Sequence, residues 1–192
     1  MGRVREFDPD AALRTAMELF WRRGYEATSM QDLVDGLGLG RGSIYGTFGS
    51  KRELYLKALE RYVDDARDGL LDQTTGPGSP LEAVRGLIRH YAEISLADHD
   101  RKGCLVTNTA VELPGDDGAS RLVTSGLEVM ETVLASTLLR ARAQGELAPD
   151  RDPVALARFL VTLLQGIRVI GKTPVRQRFL DDTVEQAVAM LG

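Results

Sequence analysis

The sequence predicts an all-α protein of about nine helices. Apolar residues recur at helical spacing in one segment after another, and no valine run alternates with polar residues over a strand's length. Capping residues and helix breakers stand at the ends of these segments. A third observation divides the chain: near the N-terminus two short helical segments are joined by a tight glycine turn, and longer helices follow.

Asp8-Pro9 opens the first helix, because Asp caps the free amides and Pro fits the first turn. Ala12, Leu13, Ala16, Leu19 and Phe20 form its apolar face, and Gly24 stops it. Ser29-Met30-Gln31-Asp32 is a variant capping box that opens a short helix to Leu37, and Gly38 ends it. A second short helix spans Arg41–Phe48. Ser50-Lys51-Arg52-Glu53 is a full capping box, opening a helix to about Leu71. Residues 73–80 are turn-forming. Ser79-Pro80 starts the next helix, to about Ala97. Further helices are expected over Cys104 to Glu112, Ser120 to Ala143, Asp152-Pro153 to Gly171, and Thr173-Pro174 to Leu191. The implied division is 1–50 as a helix-turn-helix head, 51–71 as a connecting helix, and 72–192 as a sensing and dimerisation region.

Composition narrows the class. The chain has 192 residues, 43% hydrophobic and 27% charged, which excludes a disordered polymer, a collagen-like repeat and a disulfide scaffold. Cys104 is the only cysteine, so no internal disulfide forms, as suits a reducing cytoplasm. No uninterrupted apolar run approaches the roughly 18 residues of a membrane span. The charged start, Met1 to Asp8, lacks an apolar signal core. A cytoplasmic protein with no membrane contact is expected. Residues 1–60 balance nine basic against nine acidic residues, so the net charge of −4 lies in the rest. Phosphate attraction is local at physiological salt, so this total does not exclude a nucleic acid.

The second short helix has the outward chemistry of a groove reader. Arg41 is a bidentate donor to guanine or phosphate. Gly42 and Gly46 carry no side chain to hold the backbone off DNA. Ser43, Tyr45 and Thr47 offer hydroxyls to phosphates or base edges. Ser50 and Lys51 begin the next helix, where free amides favour a phosphate. Phe20, Met30, Leu33, Leu37, Ile44 and Phe48 are the expected small core. A plain three-helix subdomain would use the same glycines only as turns.

The strings Gly24-Tyr25-Glu26-Ala27-Thr28-Ser29-Met30-Gln31-Asp32-Leu33 and Leu37-Gly38-Leu39-Gly40-Arg41-Gly42-Ser43-Ile44-Tyr45-Gly46-Thr47-Phe48-Gly49-Ser50-Lys51, followed by Leu54, closely resemble the TetR family of transcriptional regulators. The resemblance covers roughly residues 8–60. It implies a homodimer that sets one such head into each of two successive major grooves of a pseudo-palindromic operator, most often as a repressor. It carries phosphate contact to Thr28, Tyr45, Thr47 and Lys51, beside Ser29. It carries groove contact to Arg41, Gly42 and Ser43, with readout at Gly46 in doubt because the family often has a larger residue there. Gly40 stands where the family more often has a capping Ser or Thr.

The resemblance also implies an effector pocket in the later helices and dimerisation through the last two. The sequence is compatible. Val154 to Ile170 is apolar nearly all round, and Phe179, Leu180, Val184, Ala187, Val188 and Leu191 form one apolar face. Asn108, Val111, Met130 and Leu164 are candidate pocket lining by position, although core packing explains them equally well. Cys104 follows Arg101-Lys102-Gly103 and opens a helix, two features that favour a thiolate. A lone cysteine is more commonly a small buried hydrophobe. Lys102-Gly103-Cys104-Leu105, with Asn108 and Glu112, is similar to a TetR subgroup that contains electrophile- and bleach-sensing repressors, which implies a reactive Cys104 with Lys172 as its partner.

His90, His99, Asp98 and Asp100 lack the spacing of a metal site. No glycine-rich phosphate loop, nucleophile elbow or zincin motif occurs, so neither cofactor nor catalysis is expected. The competing readings are a small cysteine enzyme, for which only His90 and His99 are candidate bases, and a helical protein-interaction module that does not bind DNA.

Overall fold

The computed structural model describes residues 7–191; the charged start, Met1 to Glu6, and Gly192 lie outside it. The described residues form nine α-helices and no strand. In order they are α1 (Pro9–Arg23), α2 (Met30–Leu37), α3 (Arg41–Phe48), α4 (Lys51–Thr74), α5 (Pro80–Ala97), α6 (Leu105–Glu112), α7 (Asp117–Ala143), α8 (Pro153–Ile170) and α9 (Arg176–Met190).

The caps explain most boundaries. Asp8, Ser29, Ser50, Ser79 and Asp152 each accept a hydrogen bond from a first-turn amide. Both capping boxes form reciprocally, Ser29 with Asp32 and Ser50 with Glu53. Gly40, in contrast, caps α3 with no side-chain bond. Three ends differ from expectation. α4 runs on to Thr74 because the hydroxyls of Thr74 and Thr75 donate to the carbonyls of Leu70 and Leu71. α7 begins at Asp117, since Asp116 caps it by accepting from the Ala119 amide. α9 begins at Arg176, because Lys172 and Thr173 first fold back onto Val169 and Ile170.

Two apolar clusters organise these helices. The body cluster joins α5, α7, α8 and α9 around Leu134, Leu138, Leu160 and Leu164, all fully buried. The head cluster holds Phe20, Leu33, Ile44 and Phe48, as the sequence led us to expect; Met30 and Leu37 are half-buried against it. It also takes in Leu54, Tyr55 and Leu59 of α4, and Cys104, Leu105 and Val106 at the start of α6. The later region therefore sends its own short helix into the core of the head.

α7 and α8 are long and apolar enough, by length and composition, to cross a bilayer, although neither is an uninterrupted apolar run. Both pack within the bundle, and α7 and α8 lie against each other. The outer surface of α8 and α9 leaves Val154, Phe159, Phe179 and Met190 exposed.

Ion pairs tie α4 to the body. Arg52 holds Asp116 through two hydrogen bonds, of 2.5 and 2.8 Å. That contact and the Ala119 amide hold the Asp116 carboxyl down at about 2. A depressed carboxyl stabilises the fold above its ordinary range, and that contribution is lost as pH falls through about 2. Asp116→Asn should therefore lose less thermal stability than the unmodified protein between roughly pH 4 and pH 2. Parallel acid dependence in the two proteins would show that the Arg52 contact adds nothing to the native state.

Candidate functional site

α3 presents a clear division of sides. Ile44 and Phe48 are buried one turn apart, and Arg41, Gly42, Ser43, Tyr45, Gly46 and Thr47 are all exposed. Around Gly42 and Gly46 there is open space where a Cβ would stand, so the backbone itself forms the surface. No acidic residue lies on this helix. Lys51 begins α4 with its ammonium 4.2 Å from the centre of the Tyr25 ring, which holds the charge beside the end of α3.

Two expected phosphate contacts have other work. Thr28 is fully buried, and its hydroxyl donates to the Gly24 carbonyl at 2.6 Å, so its side chain is a structural strut of the turn. Ser29 is exposed, but its hydroxyl is engaged with Asp32. Those bonds, with Arg23, hold the Asp32 carboxyl down at about 2.

The turn between α1 and α2 is clasped from the body. The Glu112 carboxylate, at the end of α6, accepts from the backbone amides of Tyr25 and Glu26 at 2.9 and 2.8 Å. Gly24 makes this possible: its φ is +88°, and a Cβ there would stand 2.9 Å from Glu112 Oε1. Midway along α6, the Thr109 hydroxyl meets the buried Tyr55 hydroxyl at 2.8 Å. At the other end, Trp21 donates to the Gly103 carbonyl at 3.1 Å, and Lys102 reaches Glu18 at 2.9 Å.

The start of α6 also forms one wall of a chamber. This cavity of about 340 Å³ lies among α1, α4, α5, α6, α7 and α8. Val63, Leu70, Ile94, Val106 and Met130 give it an apolar lining, while Tyr62, Tyr91, Cys104, Gln165 and Arg168 supply its polar groups. Enclosure pushes the Tyr62 phenol well above its ordinary range, helped by the neighbouring thiol. Burial pushes Tyr91 up to about 12. Both therefore remain protonated donors at neutral pH.

Of the candidate sensing residues, Cys104 and Met130 line this chamber. Leu164 instead packs in the body core. Val111 is 78% exposed, on the outer face of α6, and contacts no chamber. Asn108 sits behind the wall: it donates to the Lys102 carbonyl at 2.8 Å and accepts from the Lys172 ammonium at 3.1 Å. Lys172 lays its stem over Gly103, where a Cβ would meet its Cδ at 2.8 Å. Lys102, two residues before Cys104, turns to Glu18 and stands over the Trp21 ring at 4.3 Å. The buried cation that shares the chamber with Cys104 is Arg168, on α8. Its signal was present in the sequence: it continues the buried stripe of Leu160 and Leu164 at helical spacing, where an apolar residue is the ordinary choice. Asp98 accepts from the Gly103 amide, and Asp100 pairs with Arg22.

Comparison with known proteins agrees with this layout. Residues 12–58 match the family described as bacterial regulatory proteins, tetR family, and residues 80–189 match the Tetracyclin repressor-like, C-terminal domain. The uncharacterised HTH-type transcriptional regulator YezE of Bacillus subtilis (strain 168) is 36% identical over the whole of both chains. The HTH-type transcriptional repressor ComR of Escherichia coli (strain K12) is 33% identical over 89% of this chain and 82% of its own. Among solved structures, a cysteine mutant of the TetR family regulator CifR, complexed with 26-base-pair operator DNA, is 32% identical with a TM-score of 0.84, covering all of both chains. The exposed face of α3, the chamber beside α6 and these matches lead to one conclusion: the chain belongs to the tetR family of bacterial transcriptional regulators.

Proposed function

We propose that the chain is a one-component repressor of the cytoplasm. A homodimer binds a pseudo-palindromic operator through α3 of each head, and an effector in the chamber releases it. The observation that carries this reading is the exposed, acid-free face of α3, with Arg41 and Ser43 at its start and bare glycine backbone between. Arg41 reads a base edge, while Tyr45, Thr47 and Lys51 position the head on phosphates. Thr28 is left out of this set because it is buried. Gly46 contributes close backbone approach and no side-chain readout. The exposed apolar surface of α8 and α9, centred on Phe159 and Phe179, supports dimerisation there as a four-helix interface.

Coupling runs through α6. Its eight residues span about 12 Å. One end carries Cys104 and Val106 into the chamber, and the other holds the head turn through Glu112. A ligand that fits one position of α6 better than the other shifts the balance between two head spacings by its differential affinity. Modification of Cys104 acts on the same wall, since a thiol adduct fills chamber volume directly. His90 shares the chamber, but its ring lies against Tyr91, and no hydrogen bond joins it to Cys104 among the described residues. That arrangement supports sensing without turnover over cysteine catalysis.

Fluorescence anisotropy with a DNA site recovered by in vitro selection tests the reading. Arg41→Ala should lose roughly 1–3 kcal/mol of discrimination at one base position. Lys51→Ala should weaken binding to all DNA alike and lower the salt slope by about one. Equal loss of discrimination from both variants would refute this division of roles. N-ethylmaleimide should release DNA from the unmodified protein and not from Cys104→Ser; release from both would remove Cys104 from sensing. Glu112→Ala should speed amide exchange at Tyr25 and Glu26 and reduce the effector's influence on operator affinity. An effector response of unchanged size in that variant would rule out the α6 route.

A further inference from the structure

Arg168 places a permanent positive charge inside the chamber. Its side chain is 94% buried, on the stripe of α8 that otherwise carries Leu160 and Leu164. The guanidinium donates to Ser95 Oγ at 3.1 Å and to the Gly103 carbonyl, both neutral acceptors. Among the described residues no carboxylate pairs with it. The one acid on the lining, Asp65, is exposed and bound to Arg61 at 2.9 Å, and Arg67 is held by Asp64 and Asp68. Burying a guanidinium without its counter-charge is costly, and its two neutral acceptors leave that charge unmatched.

The groups around Arg168 share its polarity. The Tyr62 phenol is hydrogen-bonded to Cys104 and Leu105, and the Tyr91 phenol, close enough to Cys104 and Arg168 to feel both, has a hydroxyl to donate. The corner is rich in donors and short of an anionic acceptor. The opposite lining of Val63, Val106 and Met130 is apolar. An ammonium would meet a like charge there, and a neutral apolar guest would leave the guanidinium uncompensated. A planar carboxylate matches the guanidinium fork.

We propose that the chamber binds a small organic monocarboxylate, its carboxylate held by Arg168 with Tyr91, and its hydrocarbon body lying on the apolar wall. This deepens the reading of the chamber as the effector site and rests on it.

Trp21 is the only tryptophan in the chain; it lines the chamber, and its indole donates to the same Gly103 carbonyl that Arg168 holds. Its fluorescence therefore reports occupancy. The probes are the straight-chain acids from butyrate to decanoate and 3-phenylpropionate, each beside its matched primary amide and amine, with calorimetry run in parallel. At least one acid should bind roughly tenfold more tightly than its amide, and the amines should not bind. Arg168→Gln should abolish the preference for acid over amide, and Arg168→Lys should keep most of it. Amides binding as well as acids would overturn recognition of the charge and leave the effector chamber standing. No binding of either, by fluorescence or heat, would overturn this proposal, while the chamber as an effector site is decided by the Cys104→Ser and Glu112→Ala measurements. Should Arg168→Gln not fold, the acid-to-amide ratio in the unmodified protein and in Arg168→Lys decides the matter.

Discussion

One carboxylate sits where the two halves of this molecule meet. Glu112 accepts from two consecutive amides in the turn that aims α2 and α3, and Gly24 keeps the approach clear. Hydrogen bonds to an ionised acceptor are among the stronger ones in proteins, and two on one carboxylate fix orientation as well as distance. The turn that carries α2 is thereby tied to an eight-residue helix whose other end is a chamber wall. The Tyr55–Thr109 hydroxyl pair adds a buried midpoint, which keeps α6 and α4 moving together. Buried polar pairs are costly to leave half-made, so this one favours discrete positions over gradual drift.

The same logic assigns parts to the residues near Cys104. A thiol at the start of a helix, behind a basic tripeptide, reads as a self-contained reactive site. In the folded protein Lys102 belongs to Glu18 and Trp21. The electrostatic setting of the thiol comes instead from α4, α5 and α8, through Tyr62, Tyr91 and Arg168. Lys172 and Asn108 brace the loop before Cys104 from outside. On the proposed reading, an adduct at Cys104 and a guest beside Arg168 would press on the same short helix.

What the sequence made legible was whatever is encoded locally. Caps and breakers act within four residues, so α1, α3 and α5 could be bounded almost to the residue. The face of α3 follows from its own periodicity. What stayed hidden is encoded between distant segments. Phosphate contact at Thr28 was carried by the family resemblance; its burial depends on the packing of α1 against α2. Val111 was a candidate lining residue by position, yet the helix turns that side to solvent. Tyr62, Tyr91 and Arg168 lie on three helices separated by tens of residues, and no local pattern brings them together. Arg168 alone left a trace, as a cation on an apolar stripe.

The reading helix itself shows why such remote control can work. α3 has eight residues, two of them glycine, and no side-chain cap at its start. Each interior glycine costs about 1 kcal/mol of helix propensity, and eight residues are too few for an isolated helix in water. α3 is helical because Ile44 and Phe48 are held in the cluster that Phe20, Leu33 and Leu54 complete. Its order is therefore lent by the packing of α1, α2 and α4. Leu105 and Val106 of α6 belong to that same cluster. Both α3 and α6 lean on α4, so a displacement of α6 reaches the support of α3 through that one helix. A better-capped, glycine-free α3 would hold its own shape and read DNA more firmly, and it would respond less to what happens in the chamber.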